Sequence, residues 1–294
     1  MYPAAFEYLA PSTFEEAIEL LERHGPGAKL LAGGCSLVPL MKLRLAQPTH
    51  IVDLGRVPDA AGIREEDGVL RIGAMTREAD LVRSAAVVGR YPILVDTCSV
   101  IADPTVRNMG TVGGNLVHGD PANDHPATMM ALRASFVALC ASGSRIVPAE
   151  EFFLGLFETA LGPAEILTEI RIPAPVPGSG GAYVKFERQV GDFAIAAAAA
   201  WVRLDGDRVA DASIVLTNAG PTAIRARAAE TVIAGRVPET MTLREAGEAA
   251  REGLEPWPDL RGSRDIKRHL AGVAVERALR AAVGRARDDG GDRV

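Results

Sequence analysis

The segment 110–126, GTVGGNLVHGDPANDHP, constrains this chain more than any other. It places Gly110, Gly113 and Gly114 within five residues and then sets Asp120, Asn123 and Asp124 around Pro121 and Pro126. A stretch so stiff and so polar does not suit an ordinary core. Glycine lets a ligand lie against bare backbone amides, while carboxylates and an asparagine can hold hydroxyls or a ring amide. The segment therefore reads as half of a cofactor cradle. The other half is expected at 31–38, LAGGCSLV, where an apolar run meets a second glycine pair and then a helical pattern. Strand, double glycine and helix N-terminus, in that order, present backbone donors and a helix dipole to a pyrophosphate. No Lys or Arg lies inside that turn, so backbone would do the binding. The spacing departs from GxGxxG and lacks the acidic residue that a nicotinamide dinucleotide's ribose needs, which disfavours a Rossmann fold.

Composition narrows the class. At 294 residues the chain exceeds one typical core, so two domains or three small ones are expected. The longest apolar run, FAIAAAAAWV at 193–202, suits a buried strand or short helix and falls short of a membrane span. The opening MYPAAFEYLAPSTFEEA lacks the basic flank and apolar centre of a signal peptide, which makes the cytoplasm the expected compartment. A net charge of −6, with no basic block before the Arg-rich tail, argues against nucleic acid as a partner. Cys35, Cys98 and Cys140 are far apart in sequence, with no CxxC and no nearby His. No zinc or iron–sulfur ligand set is expected, so electrons passing through this chain would need an organic cofactor.

Read in order, residues 6–9 fit a strand, followed by a helix over 13–24 with Ser12 as cap, Glu15 completing a capping box, and an apolar stripe of Phe14, Ala17, Ile18 and Leu21. A strand at 28–32, a helix at 36–44 and a strand at 50–54 come next. Residues 62–75 read as a hairpin turning at Asp67 and Gly68. Helices open at Thr76 and Pro92, Asp103-Pro104 breaks the chain, and 127–132 is helical by composition. Strands at 136–140, 144–147 and 166–172 complete an α+β domain, residues 1–175, subdivided near 55. The run PAPVPGSGG at 173–181 has the composition of a linker. Beyond it, strands at 182–189, 194–204 and 212–217 and helices at 223–234, 243–252 and 266–287 make a smaller domain, residues 176–287. Residues 288–294 read as a disordered tail.

Single residues are less telling. Lys185, flanked by Val184 and Phe186, alternates away from an apolar face and reads as a solvent lysine. Arg107 reads as a surface cation in preference to a phosphate contact. His118 and His125 share no HxxxH or HxH spacing and read as structural. Asp120 and Asp124 could act as an acid/base pair only if their surroundings split their pKa values. GxSxG is absent. The residues alone describe a two-domain cytosolic protein with a glycine-built site for a phosphorylated cofactor.

Three longer stretches add a resemblance. LAGGCSLVPLMKLRLAQPTHIVDL at 31–54, IADPTVRNMGTVGGNLVHGDPANDHPA at 101–127 and YVKFERQVGDFA at 183–194 resemble signature segments of the flavin-binding medium subunit of molybdenum hydroxylases, the carbon monoxide dehydrogenase and xanthine dehydrogenase family. The resemblance covers nearly the whole chain. It implies an α+β fold with a two-part FAD-binding domain, p-cresol methylhydroxylase/vanillyl-alcohol-oxidase-like, followed by a small sheet-plus-helices C-terminal domain. It implies FAD as cofactor. Leu31, Ala32, Gly33, Gly34, Cys35, Ser36 and Leu37 would line one side of the pyrophosphate, and Thr111, Gly113, Gly114 and Asn115 the other, through backbone amides. Asp124 would hold ribityl or ribose hydroxyls, with Asp120 beside it. Ile101 with Ala102, Leu167 and Lys185 would line the isoalloxazine, and Phe193 would shield one face of it. A lysine there would stabilise the negative charge of reduced flavin.

Three positions depart from the family pattern. Cys35 replaces a commoner His, Gln or other polar residue, and an exposed thiol there would be open to oxidation. Met109 replaces a commonly basic or polar residue, and Phe193 cannot make the hydrogen bond of the tyrosine some members carry. The activity implied is electron relay within a heterotrimer. A large molybdenum-cofactor subunit would oxidise the substrate, a small subunit with two iron–sulfur clusters would pass electrons to FAD, and NAD, a quinone or oxygen would accept them. Two alternatives stay open: a self-sufficient FAD oxidoreductase using His118, Asp120 or Asp124 on a small organic substrate, and a flavin-free assembly subunit.

Overall fold

The computed structural model describes residues 2–291. The chain opens with a parallel three-stranded sheet in the order Glu7–Leu9, His50–Asp53, Ala28–Leu31. Helix Phe14–His24 covers it and buries Ala17, Ile18 and Leu21. The capping box stands one residue later than the sequence suggests. Thr13 Oγ1 accepts from the Glu16 amide, and the Glu16 carboxylate accepts from both the amide and the hydroxyl of Ser12. Ser12 and Thr13 both meet the three-residue spacing, and the later register lets one carboxylate satisfy two donors.

A five-stranded antiparallel sheet follows, ordered Ile63–Glu66, Val69–Gly73, Ile166–Pro173, Ser135–Cys140, Gly143–Pro148. Its first hairpin turns at Asp67 and Gly68, both at positive φ (52° and 72°), the type I′ pattern that the Asp-Gly pair suggests. Between the second strand and the fourth, the chain forms short helices, among them Glu78–Arg83, Pro92–Ser99, Val112–His118 and His125–Ala131. Val112–His118 lies inside the glycine segment, where composition does not favour helix. Tertiary contacts override propensity there. Thr111 caps the helix by accepting from the Gly114 amide, and Gly119, in the left-handed region, ends it.

The C-terminal sheet is antiparallel in the order Ser179–Phe186, Ala196–Asp205, Arg208–Thr217, Ile224–Arg225. Its first strand starts at Ser179, inside the expected linker, and Ile224–Arg225 is a strand where a helix start is expected. Ala196 to Ala200 are buried on both faces of the sheet. Ala197 and Ala199 join the core beneath helices Pro92–Ser99 and His125–Ala131, while Ala196, Ala198 and Ala200 pack under helix Arg264–Gly291. Small side chains let helices approach closely from both sides, so the run is a packing device.

Helix Arg264–Gly291 extends beyond the expected end at 287. Asp289 accepts from the Gly178 amide, and Arg285 pairs with Asp96 at 2.6 and 3.0 Å, anchoring this end. The rest of the expected disordered tail, 292–294, lies outside the described residues. Among the described residues, no helix is long and apolar enough to cross a membrane.

Candidate cofactor site

The two glycine turns meet back to back. A Cβ on Gly33 would stand 2.2 Å from the Met109 carbonyl oxygen and 2.7 Å from Gly110 Cα, so only glycine allows the contact. Ala32 faces Gly114 across the same seam. Past Leu31, the end of its strand, the amides of Gly33, Gly34, Cys35, Ser36 and Leu37 donate to no other group among the described residues. The next amide, Val38, donates to the Gly34 carbonyl at 3.0 Å. Five consecutive unpaired amides leading into helix Leu37–Lys42 form a nest suited to an anion.

The opposite side differs from the expectation that amides of 111–115 hold the pyrophosphate at four of the five positions; only the Thr111 amide donates to no other group among the described residues. The Val112 amide donates to Thr76 O and the Gly113 amide to Ala74 O, both at 2.9 Å. The Gly114 amide donates to Thr111 Oγ1 and the Asn115 amide to Thr111 O. The helix and its anchoring to the neighbouring turn use these four donors. This side also offers Asn115 Oδ1, buried without a partner among the described residues, while the Asn115 backbone carbonyl accepts from Asn123 Nδ2 at 2.8 Å. An orphaned buried polar atom beside an unpaired amide nest fits a dinucleotide cofactor with hydroxyls and phosphates to be held.

Lys185 is not a solvent lysine. Its side chain is 2% exposed, with Nζ 3.0 Å from Asp124 Oδ2, 2.9 Å from the Val100 carbonyl oxygen and 3.4 Å from Glu187. Alternation misleads because both faces of this sheet are covered. Asp124 Oδ1 accepts from the Tyr183 hydroxyl at 2.6 Å, so both carboxylate oxygens expected to take ribityl or ribose hydroxyls are already engaged. Burial pushes the Asp124 carboxyl up, against the opposing pull of Lys185 and the Tyr183 hydrogen bond. Burial and the neighbouring Asp124 push the Tyr183 hydroxyl well above its ordinary range. Sequence reading missed Tyr183. Its signal was the two-residue spacing to Lys185, which puts both on one strand face.

The remaining expected positions divide between lining and support. Ile101 and Ala102 form a tight turn, with Ala102 at φ 45°, and Arg107 Nη1 donates to both their carbonyls at 2.7 and 2.9 Å. Arg107 is thus a brace for that turn. Gly191 packs against the Ala102 carbonyl, bringing the segment that carries Phe193 onto it. Phe193 is 44% exposed, with the Arg261 guanidinium 5.3 Å over its ring and tied to Asp192. Leu167 is buried beside the bulge of strand Ile166–Pro173, a strand that contacts helix Val112–His118. Asp120 accepts from the Ala122 amide at 2.8 Å, a local turn. His118 packs on Phe157, and burial lowers its pKa.

Cys35 is exposed, but partial burial of its sulfur, with Glu78 and Asp103 nearby, pushes the thiol up. Thiolate is therefore scarce at neutral pH, against the expectation of easy oxidation. Alkylation of Cys35 by iodoacetamide at pH 7.5, followed by peptide mass mapping, should run slower than that of free cysteine and accelerate in alkali. A rate matching the free thiol would refute this.

The fold also joins residues that sequence separates. Cys98 Sγ lies 3.9 Å from His125 Nε2 and 3.6 Å from Glu78 Oε2, and His125 Nε2 lies 2.6 Å from Glu78 Oε2, all buried. No histidine stands near a cysteine in sequence, yet the fold brings one beside Cys98 because positions 78, 98 and 125 sit on three helices packed side by side.

Residues 4–175 match the family described as the FAD binding domain in molybdopterin dehydrogenase, and residues 181–282 the CO dehydrogenase flavoprotein C-terminal domain. The carbon monoxide dehydrogenase medium chain of Hydrogenophaga pseudoflava is 47% identical over 282 residues, covering 96% of this chain and 98% of that one. The medium chain of the Afipia carboxidovorans enzyme is 42% identical, covering 98% and 100%. A chain of the solved Hydrogenophaga pseudoflava carbon monoxide dehydrogenase lacking the Mo-pyranopterin moiety superposes with a TM-score of 0.95 at 49% identity, covering 97% of this chain and 99% of that one. The glycine seam, the amide nest and these full-length matches agree: this chain belongs to the FAD-binding medium-subunit family of the molybdenum-containing dehydrogenases.

Proposed function

We propose that this chain is the FAD-carrying relay subunit of a molybdenum hydroxylase. It takes electrons from the iron–sulfur clusters of a small partner subunit, which a molybdenum-cofactor large subunit feeds, and passes them to an external acceptor such as NAD, a quinone or oxygen. The observation that carries this reading is the seam at Gly33, which locks two glycine turns together and leaves the amides of 33–37 unpaired beside it. Bound FAD would supply the exchange between single-electron and paired-electron transfer. The chain's own residues do the rest. The amides of Gly33 to Leu37 hold the phosphates, with Ala32 at the seam. Asn115 Oδ1 would accept from a cofactor donor, and the braced turn at Ile101 and Ala102 would give a fixed wall. Lys185, held by Asp124 and the Val100 carbonyl, is a buried cation that would stabilise negative charge on reduced flavin, and Phe193 would help to cover the cofactor. Three free cysteines suit a reducing compartment, which supports a cytoplasmic location.

The purified full chain tests the reading through its absorbance spectrum and the mass of the cofactor released on denaturation. About one FAD per chain is expected, with no turnover of an organic substrate until the molybdenum and iron–sulfur partners are added. A colourless chain that also ignores added FAD would sink the relay and favour an assembly role. Substrate turnover by the isolated chain would favour a self-sufficient oxidoreductase.

A further inference from the structure

Glu78 occupies a place that the relay alone does not explain. Its backbone amide donates to the Gly110 carbonyl at 3.1 Å, and its stem is the nearest side chain but one to the space a Gly110 Cβ would fill. Its carboxylate reaches His125, whose chain neighbour Asp124 receives Tyr183 and Lys185. Lys185 in turn donates to the Val100 carbonyl. One residue therefore touches the glycine turn through its backbone and the Asp124 segment through its side chain.

The pair persists at a cost. Among the described residues, His125 Nδ1 and Glu78 Oε1 are buried without hydrogen-bond partners. A core optimised for stability alone would fill these positions with apolar side chains. A cation bound by Glu78, Cys98 and His125 does not account for the arrangement, because it would have to open the 2.6 Å Glu78–His125 contact and finds three donors among the described residues.

We propose that Glu78 and His125 are positioning residues for the flavin cradle: their buried contact fixes the distance between the glycine turn at Gly110 and the Asp124–Lys185 pair, and so sets FAD affinity. The inference rests on the site reading given above. It concerns no contact between either residue and the cofactor.

The test is FAD titration of the apo full chain by flavin fluorescence, with the thermal midpoint of each variant recorded. Glu78→Ala and His125→Asn, which break the contact, should each weaken FAD binding about tenfold or more. Glu78→Gln and His125→Gln, which keep an oxygen or nitrogen near the contact, should stay within about threefold of wild type. Phe152→Ala opens a cavity in the Phe136–Phe153 cluster and supplies a destabilised control. It should keep wild-type affinity even with an equal loss of thermal midpoint. Hydrogen exchange at amides 108–115 should quicken in Glu78→Ala and not in Phe152→Ala. Wild-type affinity in both breaking variants, no rescue by the glutamines, or an equal loss in Phe152→Ala overturns the proposal. Gly33→Val is run alongside: if it retains FAD, the site reading itself fails, whatever Glu78 does.

Discussion

Gly33→Val should fold and yet lose its flavin. The added Cβ meets the Met109 carbonyl oxygen at 2.2 Å and Gly110 Cα at 2.7 Å, and both obstacles are backbone. No rotamer change relieves the clash, so the two turns must part and the amides of 33–37 move away from the turn at Gly110. Affinity for FAD should fall at least about a hundredfold, the equivalent of roughly 2.7 kcal/mol. The seam lies beside the parallel sheet and outside the three main apolar cores, so far-ultraviolet circular dichroism should remain near wild type. Gly114→Ala is the informative companion. Its Cβ meets the Thr111 hydroxyl at 2.7 Å, and that side chain can rotate away at the expense of the helix cap, a loss of about 1 kcal/mol. A much smaller effect on FAD is expected there. If flavin absorbance at saturation shows equal affinity for Gly33→Val and wild type, the nest at 33–37 is not the phosphate site.

The contrast between these glycines marks what sequence alone reveals. The pairs at Gly33-Gly34 and Gly113-Gly114 are visible because a strand, a turn and a helix start leave local marks, and the Asp67-Gly68 hairpin is visible for the same reason. Both pairs hold a glycine packed on the backbone of a distant turn, Gly33 on Met109 and Gly113 on Ala74, yet the amides of 33–37 stay unpaired among the described residues while those of 112–115 are used. That difference depends on partners at Ala74, Thr76 and Met109, which no local pattern encodes. Lys185 shows a second limit. A two-residue period separates inside from outside only when one face of a sheet meets water, and here helices cover both. Tyr183, Glu78 and His125 are a third case. Each is an ordinary residue in its own segment and gains meaning only when the helix carrying Glu78 meets His125 and the strand carrying Tyr183 meets Asp124 beside it.

That convergence makes Lys185→Met the most destabilising single change expected. Asp124 is 5% exposed, and the ammonium 3.0 Å away is the cation paired with it. Removing one partner of a buried pair leaves an uncompensated charge and costs about 3–5 kcal/mol, whereas removing both at once is often nearly neutral. The double variant Asp124→Asn/Lys185→Met should therefore recover more than half of the loss. The deficit should also depend on pH. Burial already pushes the Asp124 carboxyl up, and losing Lys185 removes the largest opposing influence, so the folded-state value rises further above the unfolded one. A carboxyl raised on folding contributes stability below its unfolded pKa, near 3.9 for a model aspartate, and loses it as pH climbs through the folded value. The gap in denaturation midpoint between wild type and Lys185→Met should thus be small at about pH 5 and wide at about pH 8. Asp124→Asn removes the titrating group, so adding it to Lys185→Met should flatten that dependence. Equal gaps at both pH values would trace the loss to the missing ammonium and its bond to the Val100 carbonyl, with the stranded carboxylate playing no part.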